Sequence, residues 1–330
     1  MAAGPSLDDL LATAVPFALP LRHPFRGLRV REGVLLEGPE GWGEFAPFDD
    51  YPDTAAARWL ASAIEAAFRG WPEPCRSDIE VNAIIPAVGA DDAARLTREA
   101  IADLGCRTIK VKVGSRDLSA DEQRVGAIRD VLTAELGPGQ GFIRVDANGA
   151  WDVRRGEQAL RSLAGFGLEY VEQPCATREE MRELRRLVDV RFAADELIRQ
   201  ADGHVTRISE IADVAVLKPA PLGGAAALLQ QAEALDVPVV VSGSLDSSVG
   251  LGTALAAAGA LPDLPFASGL GTGALFACDL AGPVVPRNGR IRVERIAPDP
   301  QALQVAAALV SEERRAFWLQ RVADAWAVKG

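Results

Sequence analysis

The chain has 330 residues, of which 48% are hydrophobic and 25% charged, enough for one large globular core or two smaller ones. A formal net charge of −11 argues against a general nucleic-acid or anionic-membrane surface, yet leaves room for a small anionic ligand in a locally positive pocket. No run approaches the ~18 uninterrupted apolar residues of a membrane span, and the start MAAGPSLDDLLATAVPF lacks the positive region of a secretion signal, so a soluble, cytoplasmic protein without membrane insertion is expected.

Residues 1–78 predict a small α+β domain. Short strands broken by proline and glycine are read over 14–21, 27–37 and 41–47, with GPEGWGE (38–44) as the turn into the third. Residues 54–69 place Ala57, Leu60, Ala61, Ile64, Ala67 and Phe68 at helical spacing, and WPEPC (71–75) marks a boundary. From residue 79 the texture becomes a repeat of apolar strand, polar turn and amphipathic helix. Strands are predicted over 79–88, 108–114, 142–149, 169–174, 191–196, 214–219, 238–245 and 264–273, and helices over 91–104, 119–136, 152–166, 178–188, 203–211, 225–235 and 247–260. Eight such units, each about 20–30 residues long, fit a (β/α)8 TIM-type barrel over 79–283. A doubly wound sheet fits less well, because no strand runs into a phosphate-binding loop. VVPRNGRIRVERI (284–296) predicts a hairpin about Asn288-Gly289, and a helix is predicted over about 300–326. The segment 284–330 is expected to complete the first domain or close the barrel. The four cysteines, Cys75, Cys106, Cys175 and Cys278, show no CxxC spacing and are expected to be free thiols.

Of the 35 lysines and arginines only four are lysines: Lys110, Lys112, Lys218 and Lys329. Three of them sit in apolar strand-like runs, where a charge is costly. Arginine effectively never deprotonates, so lysine at these positions points to a need for a titratable amine. In TIKVKVG (108–114) Lys110 and Lys112 are two apart and share one strand face.

Four successive strands end in an ionisable group: Asp146, Glu172, Asp195 and Lys218, separated by 26, 23 and 23 residues. In a (β/α)8 barrel the C-terminal strand ends share one mouth, which brings three carboxylates together with lysines of the second and sixth strands on either side. Each residue alone has an ordinary reading. Asp146 before Ala-Asn-Gly suits an Asx-turn, Glu172 before Gln-Pro ends a strand, and Lys218 can extend to solvent. Their recurrence at one end of consecutive units is what points to chemistry. Clustered carboxylates need a cation, and three hard oxygen ligands suit Mg2+; with only His23 and His204 in the chain, a histidine-rich zinc or iron site is disfavoured. Such a site would take a substrate carboxylate and stabilise the enediolate formed when a neutral lysine removes the adjacent proton. Neighbouring positive charges would lower that lysine's pKa.

With GWGEFAPF (41–48), KVK, DAN, EQP, DE and LKP in this order, nearly the whole chain resembles the enolase superfamily, in the muconate-lactonizing-enzyme subgroup with a Lys-x-Lys motif on strand two and a lone lysine on strand six. The resemblance implies an enolase-type barrel with an N-terminal capping domain. It makes Lys112 the acid–base, Lys110 its electrostatic neighbour, and Lys218 a cation across the substrate. It also makes Asp146, Glu172 and Asp195 ligands of Mg2+, with Mn2+ able to substitute. Within the subgroup, PLRHPFRG (20–27), GEFAPFDDYPD (43–53) and SGSLDSSVGLG (242–252) imply a dehydratase that converts 2-succinyl-6-hydroxy-2,4-cyclohexadiene-1-carboxylate to 2-succinylbenzoate, in menaquinone biosynthesis. Ser242, Gly243 and Ser244 then offer donors to the succinyl carboxylate, with a ligand-free loop as the competing reading. Asn148 supports the site or makes an Asx-turn, and Glu196 sits behind the third ligand. GLGTG (269–273) is only a fragment of a dinucleotide loop. N-succinylamino-acid racemase, dipeptide epimerase and, less so, muconate cycloisomerase remain open, as does a barrel that only binds a carboxylate. A monomer acting on a small carboxylate is expected, the monomer from the resemblance alone.

Overall fold

The structure, a computed structural model, describes residues 4–25, 27–200 and 207–329. His204 and residues 203–206 of the expected helix 203–211 lie outside the described residues, as does the His23 side chain; the described end of that segment is a 3-10 turn, Ile208–Glu210.

The chain opens with α1 (Leu7–Thr13), where Ser6 and Asp9 bond each other's backbone amides in a capping box. An antiparallel sheet follows, β1 (Val15–Phe25), β2 (Leu28–Gly38) and β3 (Gly41–Phe45), then α2 (Asp53–Ile64), prolonged by a π-helical turn, Glu65–Arg69. Pro16 and Pro20 are tolerated because β1 is the outer strand. The glycines of GPEGWGE serve close packing. A Cβ on Gly43 would fall 2.0 Å from Ala63 O, and one on Gly38 2.2 Å from Ala67 O.

The second region runs β4 (Asp78–Glu80), β5 (Ala83–Ile85), α3 (Ala90–Ala102), β6 (Thr108–Lys112), α4 (Leu118–Leu136), β7 (Phe142–Asp146), α5 (Val153–Leu163), β8 (Leu168–Glu172), α6 (Arg178–Leu184), β9 (Phe192–Ala194), α7 (Glu196–Gln200), β10 (Val214–Leu217), α8 (Pro219–Leu222), α9 (Ala225–Ala234), β11 (Val239–Val241) and α10 (Ser248–Ala260). Strands β5 to β11 form one parallel sheet in sequential order. The sheet closes through two parallel bridges, Val81 to Ser268 and Ser242 to Gly269. The fold is a modified (β/α)8 TIM-type barrel with an N-terminal α+β capping domain. Its main core lies between strands and helices, where Ile109, Val111, Ile143, Val145 and Val171 meet Val125, Ile128, Leu160 and Leu184.

Four sequence expectations change. The predicted eighth strand, 264–273, is reduced to the two bridging residues Ser268 and Gly269, which close the sheet without forming a regular strand. The predicted strand 79–88 divides at Asn82: β4 leaves the barrel to pair antiparallel with β12 (Arg290–Arg292), while the Asn82 side chain turns inward to accept from Arg144. The 284–296 hairpin is only a tight turn. Asn288 and Gly289 both have positive φ, and Arg287 and Arg290 bond reciprocally, but the strand partner of β12 is β4. The expected helix 300–326 is two helices, α11 (Pro300–Ala308) and α12 (Glu312–Lys329), because the Ser311 hydroxyl accepts from Arg314 N and starts a new one. Helix α12 lays Trp318, Val322 and Ala325 against Phe45, Trp59, Leu60 and Ile64 of the capping domain. All four cysteines are free, Cys106 and Cys175 buried and Cys75 and Cys278 exposed.

Candidate active site

Strand alternation on β6 sends Ile109 and Val111 into the helix layer, both fully buried, and turns Lys110 and Lys112 into the barrel. Register with β7 sets Lys112 beside Asp146, and register of β7 with β8 sets Asp146 beside Glu172. Lys110 Nζ donates to both Glu172 oxygens at 2.7 Å and lies 2.9 Å from Asp146 Oδ2. Lys112 Nζ donates to the same Asp146 oxygen at 2.6 Å and to Asn148 Oδ1 at 2.8 Å. Across the barrel, Lys218 Nζ donates to Asp195 Oδ2 at 2.6 Å. Asn148, at φ 49°, passes the network on by donating Nδ2 to Glu196 at 3.0 Å. Asp146 also makes the Asx-type contact its sequence suggests, Oδ1 accepting from Asn148 N at 3.0 Å.

Gln173 holds the floor of this network. It is fully buried at φ 40°, and its Oε1 accepts from Asp195 N at 3.0 Å and Leu197 N at 3.3 Å. Below it, Arg144 is fully buried, donates to Asn82, Ala267 O and Glu169, and stacks 4.8 Å from the Tyr170 ring centre.

Above Gln173 and Arg144 lies a cavity of about 610 Å3, the size of a small-molecule site. Lys110, Lys112, Asp146, Asn148, Asp195, Glu196, Lys218, Ser242, Gly243 and Ser244 all border it; Glu172 stands behind Lys110. The capping domain adds Phe48, Tyr51 and Trp59, whose rings meet edge to face at 5.5–6.4 Å. Ser244 and Thr272 line the same cavity, their hydroxyls buried and without hydrogen-bond partners among the described residues.

Burial opposes charge at Lys110, Asp146 and Glu172. For Lys110 burial pulls the pKa down, but Asp146 and Glu172 carry it well above the ordinary lysine range, so it stays an ammonium. Burial works to raise Asp146, and Lys110 and Lys112 overcome it, holding the carboxyl well below its usual range. Glu172 is pushed up to about 7 by burial and by repulsion from Asp146 and Asp195, despite its bond to Lys110.

Residues 92–299 match the enolase C-terminal domain-like family and residues 16–67 the enolase N-terminal domain-like family. The chain belongs to the enolase superfamily. Its curated relatives include the o-succinylbenzoate synthase of Mycolicibacterium smegmatis, 47% identical over 96% of each chain, and that of Thermobifida fusca, 49% identical over 88% of this chain and 90% of the other. Among solved structures, a muconate lactonizing enzyme from Pseudomonas fluorescens superposes with a TM-score of 0.71 at 22% identity, covering 92% of this chain and 97% of that one. An L-Ala-D/L-Glu epimerase from Bacillus subtilis gives 0.69 at 20% identity over 86% and 96%.

Superfamily membership implies a divalent metal. As placed, Asp146, Glu172 and Asp195 each have an ammonium partner, and among the described residues no three acidic, histidine or cysteine side chains gather round a common point. Their chemistry nonetheless fits the ion: three hard oxygen donors from successive strands with no histidine among them.

Several members of the site escaped the sequence reading. Thr272 lies in the GLGTG segment, whose glycines serve packing: a Cβ on Gly269 would fall 2.7 Å from Ser242 Oγ, and one on Gly271 2.7 Å from Asn82 O. Arg144 was visible as a charge inside the apolar run FIRVD, on the same strand face as Asp146. Gln173 carried no signal beyond its place in EQP.

Proposed function

We propose that this superfamily member is an o-succinylbenzoate synthase, a Mg2+-dependent dehydratase that converts 2-succinyl-6-hydroxy-2,4-cyclohexadiene-1-carboxylate to 2-succinylbenzoate in menaquinone biosynthesis. The reading is supported by near full-length relatives of that name and, in the geometry, by one observation: a single cavity presents Lys112 and Lys218 from opposite barrel walls beneath an aromatic lid. The catalytic unit is the barrel of residues 79–283, capped by 1–78 with 284–330, acting in the cytoplasm as a monomer.

In this reading Lys112, as a free amine, takes the proton from the ring carbon that bears the carboxylate. The C–H electron pair moves into the carboxylate to give an enediolate. That pair then returns to form the ring double bond as the C–OH bond breaks, and the same Lys112 ammonium gives its proton to the departing hydroxide, which leaves as water from the face the proton left. Aromatisation makes the second step favourable. Asp146, Glu172 and Asp195 would hold Mg2+, which when bound supplies positive charge for the enediolate oxygens. Lys218, anchored on Asp195, stays charged and faces the ring as a cation. Phe48, Tyr51 and Trp59 exclude water, and Ser244 Oγ and Thr272 Oγ1 offer hydrogen bonds to the succinyl carboxylate.

The opposed lysines also suit a two-base racemase of N-succinylamino acids, and the side chain at 218 separates the two readings. The decisive experiment incubates the purified protein with Mg2+ and the cyclohexadiene substrate and follows ultraviolet loss of the diene. EDTA-sensitive turnover is expected; none would overturn the assignment.

A further inference from the structure

The connections after β10 and β11 carry the cavity groups Lys218 and the Ser242–Ser244 turn, and the capping domain grips each with one glutamate and one arginine. On the first, Glu65 accepts from the backbone N–H of Ala225 at 2.5 Å and of Ala226 at 2.9 Å, the first two residues of α9. Arg58 on α2 donates Nε to Pro221 O at 2.9 Å. On the second, Glu44 accepts from Ser247 N at 3.2 and 3.3 Å and from the Ser247 hydroxyl; Ser247 is the N-cap of α10. Arg31 donates Nε to Leu245 O at 3.0 Å, bonds Ala46 O, and stacks 4.5 Å from the Phe48 ring centre.

The two grips share a design. Each carboxyl group meets the unsatisfied amides of a helix start. Each needs a glycine beside it: a Cβ on Gly224 would fall 2.2 Å from Glu65 Oε2, and one on Gly250 2.5 Å from the Glu44 carboxyl carbon. Each arginine takes the carbonyl of a residue that itself lines the cavity: Pro221, three residues after Lys218, and Leu245, held at φ 63° directly after Ser244. Glu44, Glu65 and Arg31 are buried, so these bonds do not compete with water.

We propose that Glu65 with Arg58, and Glu44 with Arg31, are positioning residues of the reaction, the first pair aligning Lys218 and the second aligning the Ser242–Ser244 turn against the aromatic lid. The dehydratase reading enters only in assigning which kinetic constant each pair moves. Lys218 acts on charge that develops in the transition state, whereas the turn holds the remote succinyl group in ground and transition states alike.

Glu65→Ala and Arg58→Ala are expected to lower kcat about tenfold with little change in KM, and Glu44→Ala and Arg31→Ala to raise KM about tenfold with little change in kcat. Glu65→Gln and Glu44→Gln, which keep an acceptor oxygen, should recover most of the loss. Hydrogen exchange should quicken at Ala225 and Ala226 in the first pair and around Ser247 in the second. The same split in both pairs, or a lower melting temperature with unchanged kinetics and exchange, would overturn the proposal. Where an alanine variant does not fold, Glu65→Asp, Glu44→Asp, Arg58→Lys and Arg31→Lys, which shorten or blunt each grip while keeping its charge, are read by the same criteria as the alanine variants. If the wild type shows no turnover, the dehydratase reading fails on its own; exchange confined to each gripped connection then still supports the positioning role, and exchange spread evenly over the barrel refutes it.

Discussion

Lys218 Nζ lies 2.6 Å from Asp195 Oδ2, and Asp195 is itself fixed through its backbone N–H to Gln173. A lysine so anchored stands opposite the strand that carries Lys112. The two main readings use it differently: a dehydratase needs its charge, a two-base racemase its proton transfer.

Lys218→Arg therefore tests the reading directly, because arginine keeps the charge and does not deprotonate. Dehydration should fall modestly, within about a hundredfold, and Lys218→Ala should fall further. If the enzyme has racemase activity, Lys218→Arg should lose α-proton exchange, followed by NMR in deuterated water, for the N-succinylamino-acid enantiomer whose proton faces residue 218, while the opposite enantiomer still exchanges at Lys112. Arginine and alanine variants equally devoid of dehydration would argue against a purely electrostatic role.

Lys112→Ala should reduce turnover by at least about a thousandfold, the scale of losing a general acid–base in both half-steps. The fold should survive, because Asp146 keeps Lys110 at 2.9 Å and the Lys112 side chain is partly exposed. Diene absorbance and a thermal melt on the same sample check both halves. A variant that retains substantial turnover excludes Lys112 as the base.

Glu44 makes stability depend on pH. Burial first, then Asp246 and Asp279, push its pKa up to about 8 against the help of Ser247 and Arg31. Between the ordinary glutamate range and that value the folded protein keeps a proton that the unfolded chain has released, so stability falls as pH rises through this window. Asp246 and Asp279 are raised by burial and carry the same sign. Urea midpoints at about pH 5 and pH 8 should show a decline that is shallower in Glu44→Gln. An equal decline in the variant would remove Glu44 as the source.

Much of the barrel was legible because its periodicities are local. TIKVKVG declared a buried strand with both lysines on one face, and the acids ending FIRVD, YVE and FAAD recurred at the length of one β/α unit. The errors fell where a distant partner chose the outcome. Asn82 splits the predicted first strand to meet Arg144, 62 residues away, and β4 pairs with β12 instead of continuing. The break at Ser311 is the exception, because its cause is local: a serine followed by two glutamates, its hydroxyl accepting from Arg314 N three residues on.

Taken alone, the sequence determined which groups face the barrel mouth, because alternation along a strand and the common direction of parallel strands leave Lys110, Lys112, Asp146, Glu172, Asp195 and Lys218 no other place to meet. Tertiary structure decided how they are held and enclosed. Glu44 reaches Ser247 across 203 positions, Glu65 reaches Ala225 across 160, and Arg31 reaches Leu245 across 214. Such bonds exist only because burying Phe17, Leu19 and Leu35 against Leu245, Val249 and Phe276 docks the capping sheet on the barrel, and once docked, buried carboxylates must find amides to offset their lost hydration.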